Sequence, residues 1–350
     1  MTKRKRSILK YFLIFLLLVG VVVAYFGYEF YQKIFGSGVN LKGQQSAWLY
    51  VEKGSGSDAV LRTIEEAGYV KDMDLLRWVA ERKNFANHVY PGRYKLHNDM
   101  SINSLLDLLR SGSHTPSKVT FSFARTAEDF AGKATRNIQT DSVELLKLLK
   151  DTNTQTKYGF NKNTYLSMYI PNTYEFNWAT TAEDFVERMA KEYKRFWTND
   201  RKAKAQKTGL TQSEISTLAA IVQAETNMAK DRPRIAGVYM NRLERGIPLE
   251  ADPTLVYALG DFTIKRVLNK HKKIKSPYNT YMNKGLPPGP ILLPSIPYID
   301  AILNYEKHDY IFFCAKEDFS GYSNFAKNYS QHLKNARKYQ QALNKRKIYR

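Results

Sequence analysis

Hydrophobic positions are spread unevenly along the chain. The first block is continuous: no charged residue occurs from Tyr11 to Tyr28, and Phe12–Phe26 is almost wholly apolar. About 18 to 20 residues at ~1.5 Å rise cross a hydrocarbon core of ~30 Å. The pattern therefore predicts a transmembrane helix over residues 11–31, with Tyr11, Tyr25 and Tyr28 as interfacial aromatics. Residues 1–10 (MTKRKRSILK) carry five basic side chains and no acid. The basic flank predicts a single pass with a cytoplasmic N-terminal tail and everything after Glu29 outside. A cleaved signal peptide would have a shorter apolar region and a small-x-small site, and none is evident after Ala24.

Beyond the span the periodicity shortens. Residues 36–45 (GSGVNLKGQQ) read as a flexible linker. Ala47–Val51 alternates as a strand, and Gly54–Asp58 turns into a helix over Ala59–Ala67 with Ser57 or Asp58 as cap. A helix fits Met73–Arg82, a turn plus strand fits Tyr90–Leu96, and Ser101–Ser111 is an amphipathic helix stopped by Gly112. A strand–helix unit follows at Lys118–Gly132, then a short helix over 140–151. The polar stretch 152–163 is the expected domain boundary. Tyr165–Trp178 is rich in aromatics and broken by Pro171, and Thr180–Glu183 resembles a capping box. The helix after it places Phe185, Met189, Tyr193 and Phe196 on one core face. The expected fold class is α+β.

Charge and cysteine content narrow the picture. The net charge of +21 calls for an anionic neighbour. An extracytoplasmic location makes nucleic acid an unsuitable partner. Lys334–Arg350 is basic without acids and reads as a solvated helix end or a surface for anionic lipid or acidic peptides. Cys314, the single cysteine, excludes an internal disulfide and a multi-cysteine zinc site.

Candidate chemistry is concentrated after residue 210. Thr211–Glu214 forms a second capping box and opens a helix in which Ile215, Leu218, Ala219 and Val222 make an apolar stripe. At ~100° per residue Glu225 falls below Leu218, beside the buried face. Two readings stand: a glutamate at the edge of a solvated face, or a desolvated carboxyl group that stays protonated near neutral pH and acts as a general acid. Asp231 and Pro233 open the next helix, which carries Ile235, Val238, Tyr239 and Arg242 on one face. The Pro/Gly-rich segments 248–254, 276–281 and 285–290 interleave polar and aromatic side chains, as the walls of a carbohydrate cleft would.

The blocks LAAIVQAET (218–226), VYMNRLERGIPLEADPTLVYALG (238–260), SPYNTYMNKGLPPGPI (276–291) and FAKNYSQHLKNARKY (325–339) resemble, in order and spacing, the YceG-like endolytic murein transglycosylases, the family usually called MltG. The resemblance runs over about residues 45–340. It implies a LysM-like α+β module over 46–115, a connecting strand–helix unit over 116–155, a catalytic α+β domain over 160–340 and a basic tail over 341–350. The family's catalytic glutamate falls on Glu225. Its N-R-L block falls on Asn241 and Arg242, its D-P-T block on Asp252, Pro253 and Thr254, and its Y-N-T-Y block on Tyr278, Asn279, Thr280 and Tyr281. Two departures stand out: Asn172 replaces an acid after Pro171, and Ser323 stands where relatives often have histidine.

The implied activity is cleavage of the N-acetylmuramic acid–N-acetylglucosamine bond inside peptidoglycan strands, leaving 1,6-anhydro ends. It needs no metal or cofactor. A role in ending nascent strands beside penicillin-binding synthases is also implied. Glu225 would act as acid and then base. Asp252 is either a second acid or a turn residue. Asn241 and Arg242, with Thr254, either bind substrate or hold the site. Tyr278, Asn279 and Tyr281 either line sugar subsites or pack the loop. A hydrolytic muramidase and a non-catalytic peptidoglycan-binding scaffold are the competing readings.

Overall fold

The structure, a computed structural model, describes the backbone of residues 3–347 and side chains from Ile8. Met1, Thr2 and residues 348–350 of the two expected basic tails lie outside the described residues. The fold is mostly helical, with small two-stranded sheets, so the expected α+β balance shifts toward helix.

Helix α1 (Lys3–Phe35) contains the apolar block. Ile8–Phe35 is long and apolar enough to cross a membrane, with mean hydropathy 2.5, and its apolar side chains are exposed along the span. The helix runs past the expected end at residue 31 because its last turn has a second partner: Ile34 is buried in the first core, and Phe30 meets Trp78 edge-on at 5.4 Å. The expected flexible linker is docked. Val39 and Leu41 are buried, Val39 bridges Val70, and the Gly38 and Val39 amides both donate to Met100 O. Its two apolar side chains find a core, which the Gly/Ser content of the segment concealed.

The first compact unit takes in residues up to Lys118, with Asn137–Gln139 and Glu175–Thr180. It contains β1 (Ser46–Val51), α2 (Ser57–Ala67), α3 (Met73–Arg82), β2 (Gly92–His97) and α4 (Ile102–Ser111). β1 and β2 pair antiparallel, and period-2 alternation turns Ala47, Leu49, Tyr94 and Leu96 inward onto Ile64, Leu76 and Leu105. Asp72 and Ser101 cap α3 and α4 through their side chains, and Gly112 closes α4 at φ 66. Helix α2 starts earlier than expected. Its cap is Gly56, so Ser57 and Asp58 lie inside the first turn and Asp58 meets the positive helix end there.

The second unit comprises Val119–Arg136, Thr140–Tyr174 and residues from Thr181 onward. Its elements are β3 (Ser117–Phe121, from Val119), α5 (Ala127–Ala134), α6 (Ser142–Lys150), α7 (Thr152–Lys157), β4 (Asn172–Phe176, to Tyr174), α8 (Ala182–Phe196), α9 (Asn199–Thr208), α10 (Gln212–Glu225), α11 (Arg232–Glu244), α12 (Asp252–Leu259), α13 (Ile296–Leu303), β5 (Phe312–Ala315), β6 (Ser323–Ala326) and α14 (Tyr329–Lys345). The polar stretch 152–163 carries α7. Asp151 caps it and the buried Gln155 amide donates to Leu149 O. The cap of α8 is Thr181 with Asp184 three residues on, one position later than the expected box.

Helix α10 is the axis of this unit. Both capping-box bonds between Thr211 and Glu214 are present. All residues from Ile215 to Val222 are buried, Ser216 and Thr217 included, so the stripe read from the sequence is one side of a helix packed all round. The two hydroxyls fit because each donates back to a carbonyl four residues earlier, Gln212 O and Ser213 O. Helices α11, α12 and α13 pack on it. Gly237 permits a close pass against α11: a Cβ there would sit 2.2 Å from Glu306 O.

Candidate active site

Helix α10 ends at Glu225, and Thr226 leaves the helix in extended conformation. The carboxyl group is half-buried. Its Oε1 accepts a hydrogen bond at 3.0 Å from the hydroxyl of Tyr239, a buried side chain of α11. Burial pushes the Glu225 carboxyl up from the ordinary 4.5 to about 7; the Tyr239 bond opposes the rise and the charge of Asp252 adds to it. A helix C-terminus, with its exposed carbonyls, is itself poor surroundings for a carboxylate. Around neutral pH the group is thus divided between acid and base, the condition for donating a proton and then recovering one.

Glu225 and Asp252 line both arms of a bent cleft. One arm, about 750 Å³, is walled by Phe123, Arg125, Tyr257, Phe262, Lys265 and Tyr298 among others. The other, about 430 Å³, is walled by Tyr239, Arg242, Glu250, Lys272, Tyr281, Phe312 and His332 among others. Both volumes are in the range of small-ligand clefts, roughly 300–1,000 Å³. Asp252 sits in the first turn of α12 and accepts from the Tyr281 hydroxyl at 2.6 Å. The D-P-T block is therefore a helix start, not an open loop. His332 stacks on Phe312 at 5.1 Å, and burial followed by the nearby Arg242 charge lowers its pKa, leaving a neutral ring.

The other sequence-derived candidates divide by what their polar atoms touch. Arg242, with 7% of its side chain exposed, donates to Ile311 O, Pro248 O and Leu249 O and pairs with Glu250 Oε2 at 2.9 Å. It ties α11 to the hairpin β5–β6 and to the chain entering α12, and forms part of the second arm. Glu250 holds a left-handed φ of 54, a costly conformation for a residue with a Cβ. The Arg242 pair and the bond from its amide to Thr280 O offset that strain. Asn241 donates to His308 O and Tyr310 O, on the side away from the cleft walls. Thr254 is fully buried and bonds Ala251 O and the Thr280 hydroxyl. Asn279 is fully buried too: its amide donates to Lys272 O and Ile274 O, and its Oδ1 accepts from Tyr281 N. Asn279 and Thr254 shape the loop that presents Tyr281. Tyr278 packs on Tyr257 with ring centroids 4.8 Å apart, behind the first arm's wall. Of the departures, Asn172 is exposed and its side-chain oxygen accepts from Thr173 N, and Ser323 uses its own amide to donate to Asp231 Oδ2. Asp231 holds the N-cap position of α11, with its carboxylate turned to Ser323 N rather than to a helix amide.

Tyr239 was visible in the sequence only as a core position. The one signal was its hydroxyl, which a buried tyrosine must satisfy. Arg125, Phe123 and Phe262 carried no signal at all, because they reach the cleft from distant parts of the chain.

Residues 49–338 match the profile of the YceG-like family. The chain belongs to the YceG-like family. An endolytic murein transglycosylase of Bacillus subtilis strain 168 is 29% identical over 314 residues, covering 85% of this chain and 86% of that relative. An endolytic murein transglycosylase of Streptococcus pneumoniae strain D39 is 27% identical over 365 residues, covering 93% of this chain but 63% of the relative's greater length. The crystal structure of a yceG-like protein from Listeria monocytogenes shares the fold, with a TM-score of 0.54 at 23% identity, covering 83% of this chain and 98% of that one.

Proposed function

We propose that this YceG-like chain is a membrane-anchored lytic transglycosylase that cuts peptidoglycan glycan strands internally, with Glu225 as the catalytic residue. The observation that carries the reading is a carboxyl group held near pKa 7 where the two arms of the cleft meet. Protonated Glu225 donates to the glycosidic oxygen between N-acetylmuramic acid and N-acetylglucosamine as the C1–O bond breaks. The resulting carboxylate takes the proton of the muramoyl C6 hydroxyl, whose oxygen bonds to C1. The products are a free 4-hydroxyl and a 1,6-anhydro end, and no water is consumed. General acid–base assistance supplies roughly 10²–10⁴-fold; binding across the two arms supplies the orientation.

The single membrane-length helix supports anchoring, and the basic residues before it support an outward-facing catalytic unit. The strand–helix–helix–strand order of the first unit supports a LysM-like role in holding the same polymer. Termination of nascent strands near penicillin-binding synthases extends the same reading.

Asp252 favours one second reading. It shares the cleft with Glu225, and a pair of carboxyl groups is what a hydrolytic muramidase uses to activate water. The test is digestion of purified glycan strands followed by mass spectrometry. Anhydro-terminated fragments that vanish in Glu225→Gln are expected. Reducing ends alone would establish hydrolysis, and intact strands with the parent protein would leave only a binding role.

A further inference from the structure

The two arms of the cleft differ in how their arginines Arg242 and Arg125 are paired. In the smaller arm Arg242 is paired with Glu250. In the larger arm Arg125 has no carboxylate partner among the described residues; its guanidinium lies 5.3 Å from the centroid of Phe123 and 4.8 Å from that of Phe262. Two aromatic rings fix the position of an uncompensated charge on the cleft wall, and Lys265 and Arg266 line the same arm. Planar guanidinium held in this way is suited to carboxylates, which it engages through two parallel N–H bonds. The acids nearest in sequence are occupied elsewhere: Glu128 pairs with Lys150, and Asp129 accepts from the Arg125 backbone amide and pairs with Lys133 at 2.8 Å.

We infer that the larger arm is a subsite for the carboxylate-bearing peptide stem of the glycan strand, with Arg125 as its specificity-determining contact. The inference rests on the glycan-cleaving reading of Glu225 and adds to it a polarity. The strand lies with a stem-bearing sugar beside Arg125, while the smaller arm, whose arginine is already paired with Glu250, takes the sugar backbone. A stem offers several carboxylates, and the arm has room for a substituent as well as a sugar. Arg125 would contact the stem rather than the reacting bond, so its loss acts on binding rather than on the proton transfers.

The experiment compares glycan strands that keep their peptide stems with the same strands stripped by an amidase, using the full-length parent, Arg125→Gln and Arg125→Lys. The parent is expected to prefer stem-bearing strands by about tenfold or more in kcat/KM, the scale of one charge-assisted contact. Arg125→Gln is expected to erase that preference, its loss in kcat/KM falling mainly on stem-bearing strands and in KM rather than kcat. Arg125→Lys restores part of the preference by keeping the charge. Stripped strands bearing a terminal diphosphate serve as the second anion source; Arg125-dependent preference for these alone would overturn the assignment to stem carboxylates. Equal losses on both strand types in Arg125→Gln, or a parent that does not discriminate, would overturn it as well. Failure of the parent to cut any strand would instead refute the catalytic reading.

Discussion

The Tyr239 hydroxyl donates to Glu225 Oε1 across 3.0 Å, joining the C-terminal residue of α10 to the middle of α11. The bond stabilises the anion of a carboxyl group that burial drives toward the neutral form. Removing it should raise the Glu225 pKa from about 7 by roughly one to two units, since such bonds are worth ~1.5–3 kcal/mol. The alkaline limb of the kcat/KM profile should therefore move upward in Tyr239→Phe. A profile identical to the parent's would show that the bond does not set the proton balance.

Glu225→Gln should abolish cleavage while stabilising the fold at alkaline pH. The folded pKa lies above the ordinary value, so between about pH 4.5 and 7 the native state binds more protons than the unfolded chain. Stability then falls as pH rises through that window, by at most about 3 kcal/mol. Glutamine mimics the neutral acid and escapes the loss. Thermal unfolding should show the variant ahead of the parent at pH 8 and level with it near pH 4.5. Equal stabilities at pH 8 would mean that Glu225 is less desolvated than its surroundings imply.

Asp252→Asn separates the two catalytic readings. It removes a neighbouring negative charge that raises the Glu225 pKa, so a single-carboxylate enzyme should keep cutting within about tenfold, with its pH profile displaced downward. Loss of activity as deep as in Glu225→Gln would assign Asp252 a direct part in the chemistry and favour hydrolysis.

Arg242→Ala should unfold the wall of the smaller arm. A buried cation with three carbonyls and a carboxylate around it leaves all four without their donor when truncated, at a cost of about 3–5 kcal/mol. Chemical denaturation measures the loss. Lysine should not rescue it, because one ammonium cannot span Ile311 O and Pro248 O as the guanidinium fork does.

Asn279→Ala tests a structural role for a residue whose sequence context suggested sugar binding. The Lys272 and Ile274 carbonyls would lose their partner, with a stability loss of about 1–3 kcal/mol. At temperatures where the variant is folded, its KM for glycan strands should stay near the parent's. A selective rise in KM with no loss of stability would restore the binding role.

Elements whose signals are local were legible in the sequence. The apolar block, the Thr211–Glu214 box, the Met73–Arg82 helix and the glycine stop at residue 112 all depend on neighbours within a few positions. Glu225 was singled out by its place below Leu218 on one helix face, and the surrounding blocks pointed to the family. Failures came where a partner lies far along the chain. The 36–45 segment has linker composition, yet a core elsewhere in its unit takes up Val39 and Leu41. Asp231 takes the cap position that its sequence suggests, but its carboxylate bonds Ser323, 92 positions away, in place of a helix amide. What sequence alone determined was a membrane-length helix, a carboxyl group at a helix end beside the apolar face, and the family. Tertiary structure decided what surrounds that group: Tyr239 on one oxygen, Asp252 beside it, an aromatic-clamped Arg125 along one arm, and Asn279 withdrawn into the loop. Periodicity reports which way a side chain faces. Desolvation, charge and hydrogen bonding depend on what folding brings to meet it.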